Sequence, residues 1–250
     1  MRSRSLAGPA GAAALCAWAA FGVLAAVVAH VHGPLRPDRS LLSWSVAHRP
    51  PVAVAVARGL TDTGTGVVPY LLVVLAGLVA GRTARQRLVA VLLGVLCLVA
   101  GQMLRYGVME LIARARPPQY DWQTEASGWS FPSGHTTTSA LTAGLLITAL
   151  CLRAPRGRAV LCPLVACWAA GVGLTRVFLG VHWFTDVLGG WLFAAGWLGV
   201  LVLAAARWLP ARHVPRAPEP GPSHPDDAAG GPAQSDAPRD PRRRGSSPPA

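Results

Sequence analysis

Six long apolar segments constrain the fold of this chain more than any other feature of its sequence. They lie near residues 10–31, 65–80, 88–112, 135–152, 159–178 and 187–209. A run of about 20 apolar residues can cross the hydrocarbon core of a bilayer. Because lipid offers no hydrogen-bond partners to the backbone, such runs fold as helices. The sequence therefore predicts an all-α integral membrane protein, with a six-helix membrane domain over residues 10–210.

The charge of the chain fits a membrane protein better than a nucleic-acid-binding one. The net charge is +12, and all 23 basic residues are arginine. Nucleic acid would suit this charge, but the arginines lie in short clusters between apolar segments and in the tail, as in cytoplasmic membrane loops. The five cysteines lie in or at the ends of apolar segments and form no Cys-x-x-Cys pair. We therefore expect the bilayer as a partner, no nucleic acid and no metal.

The distribution of arginine predicts how the helices are oriented. One side of the membrane would carry Arg2, Arg4, Arg82, Arg85, Arg87, Arg153, Arg156, Arg158, Arg207, Arg212 and Arg216. The opposite side would carry Arg36, Arg39, Arg49, Arg58, Arg114, Arg116 and Arg176. Because basic loops stay in the cytoplasm, this bias places both termini there in a multi-pass protein of the cell membrane.

The remaining segments are assigned from their length and composition. Residues 1–9 form a short cytoplasmic N-terminus, and the first apolar run is long enough to be a retained helix rather than a cleaved signal. The connection 32–64 contains apolar patches that predict a helix lying at the membrane interface. Residues 211–250 are rich in Pro, Ala, Gly, Asp and Arg, which predicts a disordered cytoplasmic tail.

Two histidines at the starts of apolar segments indicate phosphoryl chemistry. His182 and Asp186 are four residues apart, so on a helix they share one face and the carboxylate can fix the imidazole tautomer. An imidazole held in this way, with Arg176 six residues upstream, is equipped to attack phosphorus. His135 is the second histidine. Nearby aromatic residues predict an interfacial belt, which we favour over a wall of the site for Trp183.

Helix parity brings the polar residues of these segments to one face. If the first helix leaves the cytoplasm, the third and fifth helices end outside, and the fourth and sixth begin there. Arg116 follows the third helix, residues 132–135 open the fourth, and Arg176 closes the fifth. His182 leads into the sixth. The sequence therefore predicts that the candidate site is extracytoplasmic.

These residues resemble the type 2 phosphatidic acid phosphatase (PAP2) family, whose helical bundle core is shared with vanadium haloperoxidases. Residues 132–135 match the family motif Pro-Ser-Gly-His. Arg176, His182 and Asp186 match the third motif at the right spacings, with Thr175 in place of serine. The resemblance implies a metal-independent hydrolase of phosphoric esters or pyrophosphates that needs no cofactor, with a core over about residues 65–205.

The resemblance also implies a role for each matched residue. His182 would be the nucleophile that forms a phosphohistidine, with Asp186 orienting it. His135 would protonate the leaving oxygen and then activate water. The phosphate would be bound at the helix start of Ser133 and Gly134, and would be clamped by two arginines, Arg116 and Arg176.

The first family motif departs from the pattern at one position. Arg116 and the following proline are present, but Met109 stands where the family has lysine, and the chain has no lysine. Arg105, one helical turn earlier, or Arg114 could supply the missing phosphate-binding charge. Glu110 lies four residues before Arg114, however, and could pair with it instead.

The sequence supports one main hypothesis for function and two alternatives. The main hypothesis is a membrane phosphatase acting on the phosphomonoester or pyrophosphate of a lipid, such as phosphatidic acid, phosphatidylglycerophosphate or a polyprenyl pyrophosphate. One alternative is a lipid phosphotransferase with the same intermediate. The other, which Met109 favours, is a non-catalytic protein that binds lipid phosphates. The substrate and the oligomeric state stay open.

Overall fold

A computed structural model describes residues 2–31, 33–153 and 156–208. Within these ranges the chain is helical, with a short 3-10 turn at Gln119–Asp121. The α-helices are α1 (Arg2–Val31), α2 (Arg36–Ala47), α3 (Pro51–Asp62), α4 (Val67–Ala80), α5 (Ala84–Ile112), α6 (Gly134–Arg153), α7 (Arg158–Phe178) and α8 (Phe184–Trp208). The predicted tail, 211–250, lies outside the described residues.

The helices confirm the prediction of an all-α membrane protein. In the part of the chain that the structure describes, five helices are long and apolar enough to cross a bilayer: Gly11–Val31 within α1, Phe184–Ala204 within α8, and the whole of α5, α6 and α7. A sixth span results if α3 and α4, which are bent by 52° at their junction, are counted together. The predicted second span is too short alone, because the 14 residues of α4 reach only about 21 Å.

The junction between α3 and α4 brings this bent pair close to α7. A Cβ atom on Gly64 would lie 2.3 Å from Cγ1 of Val172, so a larger residue would force the two segments apart. Gly66 at the start of α4 has a positive φ of 65°. The prediction of one helix in the connection 32–64 is wrong, because the structure has two. The segment instead forms α2, which packs against α7 and α8, and α3, which packs against α7.

Helix α6 is the centre of the bundle. It packs against α4, α5, α7 and α8, while α1 packs along α8. Apolar side chains from four helices meet in one cluster, which consists of Val73, Leu98, Leu141 and Ala194. The hydroxyl groups near the start of α6 bond to its own carbonyl oxygens, as Thr137 does to Ser133 at 2.9 Å. These bonds satisfy polar groups that would otherwise be unpaired in lipid.

The ends of four helices meet at one end of the bundle. Helices α5 and α7 end there, at Ile112 and Phe178, and α6 and α8 begin there, at Gly134 and Phe184. The matched motifs occupy these four ends and the loops between them. The fold therefore gathers them around one cavity.

Candidate active site

A cavity of about 270 Å³ lies between these helix ends. Six of the nine residues predicted for the site line it: Arg105, Arg116, Gly134, His135, Arg176 and His182. The other three, Ser133, Arg114 and Asp186, are buried behind its wall. The sequence thus predicted most of the wall correctly, and the three exceptions have distinct structural reasons.

The loop between α7 and α8 holds His182 in place through its backbone. The N–H groups of Val181 and His182 both donate to the carbonyl oxygen of Arg176, at 3.1 and 3.2 Å. Gly180 turns the chain with a φ of 75°, and a Cβ atom there would lie 2.3 Å from the carbonyl oxygen of Asp121. His182 therefore precedes α8, and the expectation that it shares a helix with Asp186 is wrong.

The carboxylate of Asp186 nevertheless reaches the imidazole. Its Oδ2 atom lies 3.3 Å from Nδ1 of His182 and accepts the backbone N–H of Trp183 at 2.8 Å. The hydroxyl of Ser130 donates to the same oxygen. Nη1 of Arg114 donates to the other oxygen, Oδ1, at 2.6 Å. The carboxylate is therefore fixed from four directions, and with it the orientation of the imidazole.

The contacts of the imidazole define which nitrogen carries the proton. Nη1 of Arg116 lies 2.9 Å from Nε2 of His182, and because arginine can only donate, Nε2 must offer its lone pair. Nδ1 then carries the proton and faces Asp186. Burial lowers the pKa of His182 to about 4, against the opposing effect of its hydrogen bond to Asp186. The imidazole is therefore neutral at pH 7, with the lone pair on Nε2.

Arg116 is held by a full set of hydrogen bonds. All five of its N–H groups have acceptors between 2.7 and 3.0 Å: Nε2 of His182 and the backbone oxygens of Ser127, Gly128, Trp129 and Val181. Burial lowers the pKa of Arg116, while the charge of Asp186 acts in the opposite direction. Its guanidinium is thus a pre-positioned charge, and a new acceptor must displace an existing one.

Two further arginines, Arg105 and Arg176, line the cavity. Arg176 is only 2% exposed. Its Nη1 donates to the hydroxyl of Thr61 at 3.1 Å, and its Nε is buried without a partner. Arg105 belongs to α5, and its guanidinium lies against the first turn of α6. Its Cζ atom is 3.5 Å from where a Cβ atom of Gly134 would be. Its Nη1 makes only long contacts of 3.4 Å, one of them to Met109 Sδ.

The start of α6 contributes His135 and free helix-end donors, but not Ser133. Nε2 of His135 lies 3.4 Å from the hydroxyl of Thr65 in the α3–α4 junction. Gly134 and His135 form the first turn of α6, where backbone N–H groups have no helical acceptor. The free N–H group expected at Ser133 is absent, because that group donates to the carbonyl oxygen of Asp186 at 3.1 Å.

Arg114 and Trp183 also differ from the sequence predictions. Arg114 does not line the cavity, since its charge is paired with Asp38 and Asp186 rather than with Glu110. Trp183 is buried, and its indole N–H donates to the carbonyl oxygen of Ala115 at 2.9 Å. It therefore supports the loop behind the cavity and is not part of an interfacial belt.

Comparison with known proteins shows the family of this chain. The family model for the PAP2 superfamily matches residues 88–210. The chain is also 30% identical over 173 residues to phosphatidylglycerophosphatase B of Bacillus subtilis (strain 168), which covers 68% of this chain and 83% of that protein. The chain belongs to the PAP2 superfamily. It is therefore a membrane-embedded hydrolase of phosphoric esters, as the resemblance predicted.

Two more comparisons show similar proteins. The chain is 30% identical over 132 residues to an undecaprenyl-diphosphatase of Sulfolobus acidocaldarius, which covers 50% of this chain and 57% of that protein. The crystal structure of a transmembrane PAP2 type phosphatidylglycerolphosphate phosphatase from Bacillus subtilis superposes with a TM-score of 0.64 and 26% identity. It covers 78% of this chain and 94% of that one.

Several residues of this PAP2 site were not found from the sequence. Thr61 and Thr65 contact Arg176 and His135 from the α3–α4 junction, and Asp38 pairs with Arg114 from α2. The one available signal was a carboxylate in the first turn of an otherwise amphipathic helix. That position is ordinarily explained by helix capping, so the signal did not distinguish Asp38.

Proposed function

We propose that this PAP2 protein hydrolyses the phosphomonoester or pyrophosphate of a membrane lipid through a phosphohistidine on His182. One observation carries the proposal. His182 lines the cavity together with His135 and three arginines, and its Nδ1 is directed at the buried carboxylate of Asp186. The names of the relatives support the substrate class, since each denotes a lipid phosphatase or diphosphatase.

The first step transfers the phosphoryl group to the histidine. Nε2 of His182 attacks phosphorus, the bond from phosphorus to the leaving oxygen breaks, and His135 gives that oxygen a proton. The imidazole gains positive charge as the N–P bond forms, and Asp186 stabilises that charge at Nδ1. The Nη1 hydrogen bond of Arg116 must leave Nε2 first, and a phosphoryl oxygen is its natural new acceptor.

The second step returns the enzyme to its starting state. Having lost its proton, His135 removes one from a water molecule, which attacks the phosphohistidine. The N–P bond breaks and inorganic phosphate is released. At the end of the cycle, every residue has returned to the covalent state in which it began. His135 serves first as the acid and then as the base.

Three arginines supply the positive charge that the transition state requires. Arg176 lines the cavity, Nη1 of Arg105 makes only contacts of 3.4 Å, and Arg116 can exchange one acceptor. Arg114 is excluded from this set because two carboxylates already use its charge. Arg105 also replaces the cation missing at Met109, whose absence favoured a non-catalytic interpretation.

The size and surroundings of the cavity suit the head group of a lipid. A volume of about 270 Å³ accommodates a phosphate and a small polar group but not acyl chains. Tyr106 lines the cavity and is 52% exposed on the outer face of α5, near the exposed Met103. We infer that the apolar part of the substrate lies along this face in the bilayer. The arginine bias supports an extracytoplasmic position for the site.

The proposal is tested by release of inorganic phosphate from a panel of lipid phosphates in EDTA. Phosphatidic acid, phosphatidylglycerophosphate and a polyprenyl pyrophosphate are assayed with the purified protein. We expect turnover of at least one, and its loss in His182→Ala. His48→Ala is the matched control, because His48 is exposed and bonds only within α2. Full activity of His182→Ala would rule out the nucleophile. Transfer to an added alcohol without phosphate release would show a transferase.

A further inference from the structure

A buried carboxylate outside the family motifs is connected to the nucleophile. Asp38 on α2 is 0% exposed. Its Oδ2 accepts Nη2 of Arg114 at 2.7 Å, and Nη1 of the same arginine donates to Oδ1 of Asp186 at 2.6 Å. Asp186 in turn bonds to Nδ1 of His182. One guanidinium therefore bridges two carboxylates, and the second of these orients the imidazole.

Helix capping explains only part of the geometry of Asp38. The carboxylate accepts the backbone N–H of Leu35 at 3.0 Å, which caps α2. It also accepts the backbone N–H of Thr185 at 2.8 Å, at the start of α8. A neutral amide could satisfy one of these donors, but only a carboxylate accepts both of them and the guanidinium. Asp38 thus fixes Arg114 against α8 beside the site.

The number of charges in the cluster determines what Asp186 offers to His182. The cluster holds two carboxylates and one guanidinium, so a negative charge remains. Without Asp38, the whole charge of Arg114 would be balanced by Asp186. Because the cluster is buried, where charges are weakly screened, this would weaken the stabilisation of positive charge on the imidazole.

We propose that Asp38 is a positioning residue of the phosphoryl-transfer reaction, which holds Arg114 so that Asp186 keeps its negative charge directed at His182. This inference rests on the phosphohistidine mechanism proposed above. The other charged or titratable groups that line the cavity with His182 come from α5, the α5–α6 loop, α6 and α7: Arg105, Tyr106, Arg116, Glu125, His135 and Arg176. Glu125 is the carboxylate among them, whereas the carboxylate bonded to the imidazole is Asp186, within the Asp38–Arg114–Asp186 cluster.

The test compares Asp38→Asn with the double variant Asp38→Asn/Arg114→Gln, which removes the two charges together. In Asp38→Asn we expect kcat per active site to fall by roughly 10-fold, as for residues coupled in one network. KM should change little, because the phosphate-binding arginines keep their contacts. The acid limb of the pH profile should move to lower pH, since His182 loses nearby negative charge. The double variant should restore the position of that limb and part of kcat.

The controls separate this inference from the proposed function and from a role in folding. Active sites are counted by trapping the phosphoenzyme with a base quench, and Asp121→Asn is the matched control outside the cluster. A wild-type protein that forms no phosphohistidine would refute the mechanism itself. If the phosphohistidine forms but folded Asp38→Asn keeps the wild-type kcat per site and acid limb, Asp38 has only a structural role and the inference fails.

Discussion

Moving one positive charge by a single helical turn tests how this site binds phosphate. Arg105 supplies a guanidinium to the cavity, while Met109, one turn later, stands at the lysine position of the family. We predict that Arg105→Met lowers kcat/KM strongly, and that Arg105→Met/Met109→Lys recovers much of the loss. The second substitution returns a cation to the cavity, because Met109 lines the same wall.

The expected magnitude follows from the position of Arg105. Its Cζ atom is 3.5 Å from the place of a Cβ atom on Gly134, where the phosphate would meet the first turn of α6. Two charges about 4 Å apart interact by about 4 kcal/mol at an effective dielectric constant of about 20. Removal of one donor to a developing anion typically costs about 10²–10³-fold in rate. We therefore expect a loss of about 10²–10³-fold for Arg105→Met.

Met109→Lys alone is expected to be harmful, which makes the test specific. Sδ of Met109 lies 3.4 Å from Nη1 of Arg105, so a lysine there would place two cations together at a buried i, i+4 pair, which repel each other. The same substitution is therefore unfavourable with Arg105 present and favourable without it. Loss of packing alone would not make Met109→Lys lower kcat/KM in one background and raise it in the other.

The assay is phosphate release in EDTA under steady-state conditions, with folding checked by thermal unfolding. Arg39→Met on α2 is the matched control, because Arg39 is exposed and lines no part of the cavity. An Arg105→Met protein within roughly twofold of wild type, the effect of an ordinary surface substitution, would refute the placement of this charge. If Met109→Lys does not raise kcat/KM of a folded Arg105→Met protein, a cation at position 109 cannot replace the one at position 105, and the prediction fails.

Three further predictions concern the nucleophile and the α3–α4 junction. Because burial lowers the pKa of His182 from 6.5 to about 4, the imidazole stays neutral as the pH falls through 6.5. The single-turnover rate of phosphoenzyme formation should therefore decline only near pH 4, and a decline centred at 6.5 would contradict this. Gly64→Ala should lower the free energy of unfolding by about 1–3 kcal/mol, because the added methyl group overpacks against α7. Gly59→Ala is the control and should not lower it, since a Cβ atom there has nothing within 4 Å. Equal thermal unfolding of the two variants would count against the close contact between the junction and α7. Thr61→Val removes the hydroxyl that accepts a hydrogen bond from Nη1 of Arg176. We expect kcat/KM to fall by roughly 10-fold or more. Unchanged kinetics would show that this hydrogen bond does not position the arginine.

Residues close in sequence were predicted well because local geometry limits where they can lie. His182 and Asp186 meet even though His182 precedes α8, since four residues of chain cannot separate them far. The apolar segments predicted α5, α6 and α7 almost to their ends. Helix parity then placed the motifs at one end of the bundle, because each span reverses the direction of the chain.

The choice between Arg105 and Arg114 shows what local spacing could not decide. Both lie within five residues of Met109 in the sequence. Arg105 is on α5 and turns toward the start of α6, whereas Arg114 follows the left-handed Ala113 that ends this helix. That turn directs Arg114 behind the cavity, where it meets two carboxylates. The position of Arg114 is set by the packing of α2 and α8 around its side chain, and sequence spacing does not show that packing.

The sequence by itself determined the membrane-spanning class, the family and the histidine pair proposed to carry the chemistry. The length of an apolar segment and the spacing of nearby residues are local properties of the sequence. The first predicts a helix that spans the bilayer, and the second predicts which side chains lie close together. The tertiary structure decided which arginines line the cavity and which buried carboxylate shares Arg114 with Asp186. Asp38 and Arg114 are 76 residues apart. No local pattern predicts such a pair, because its partners are chosen by how separate helices pack, and burial then makes each charge depend on the partner it finds.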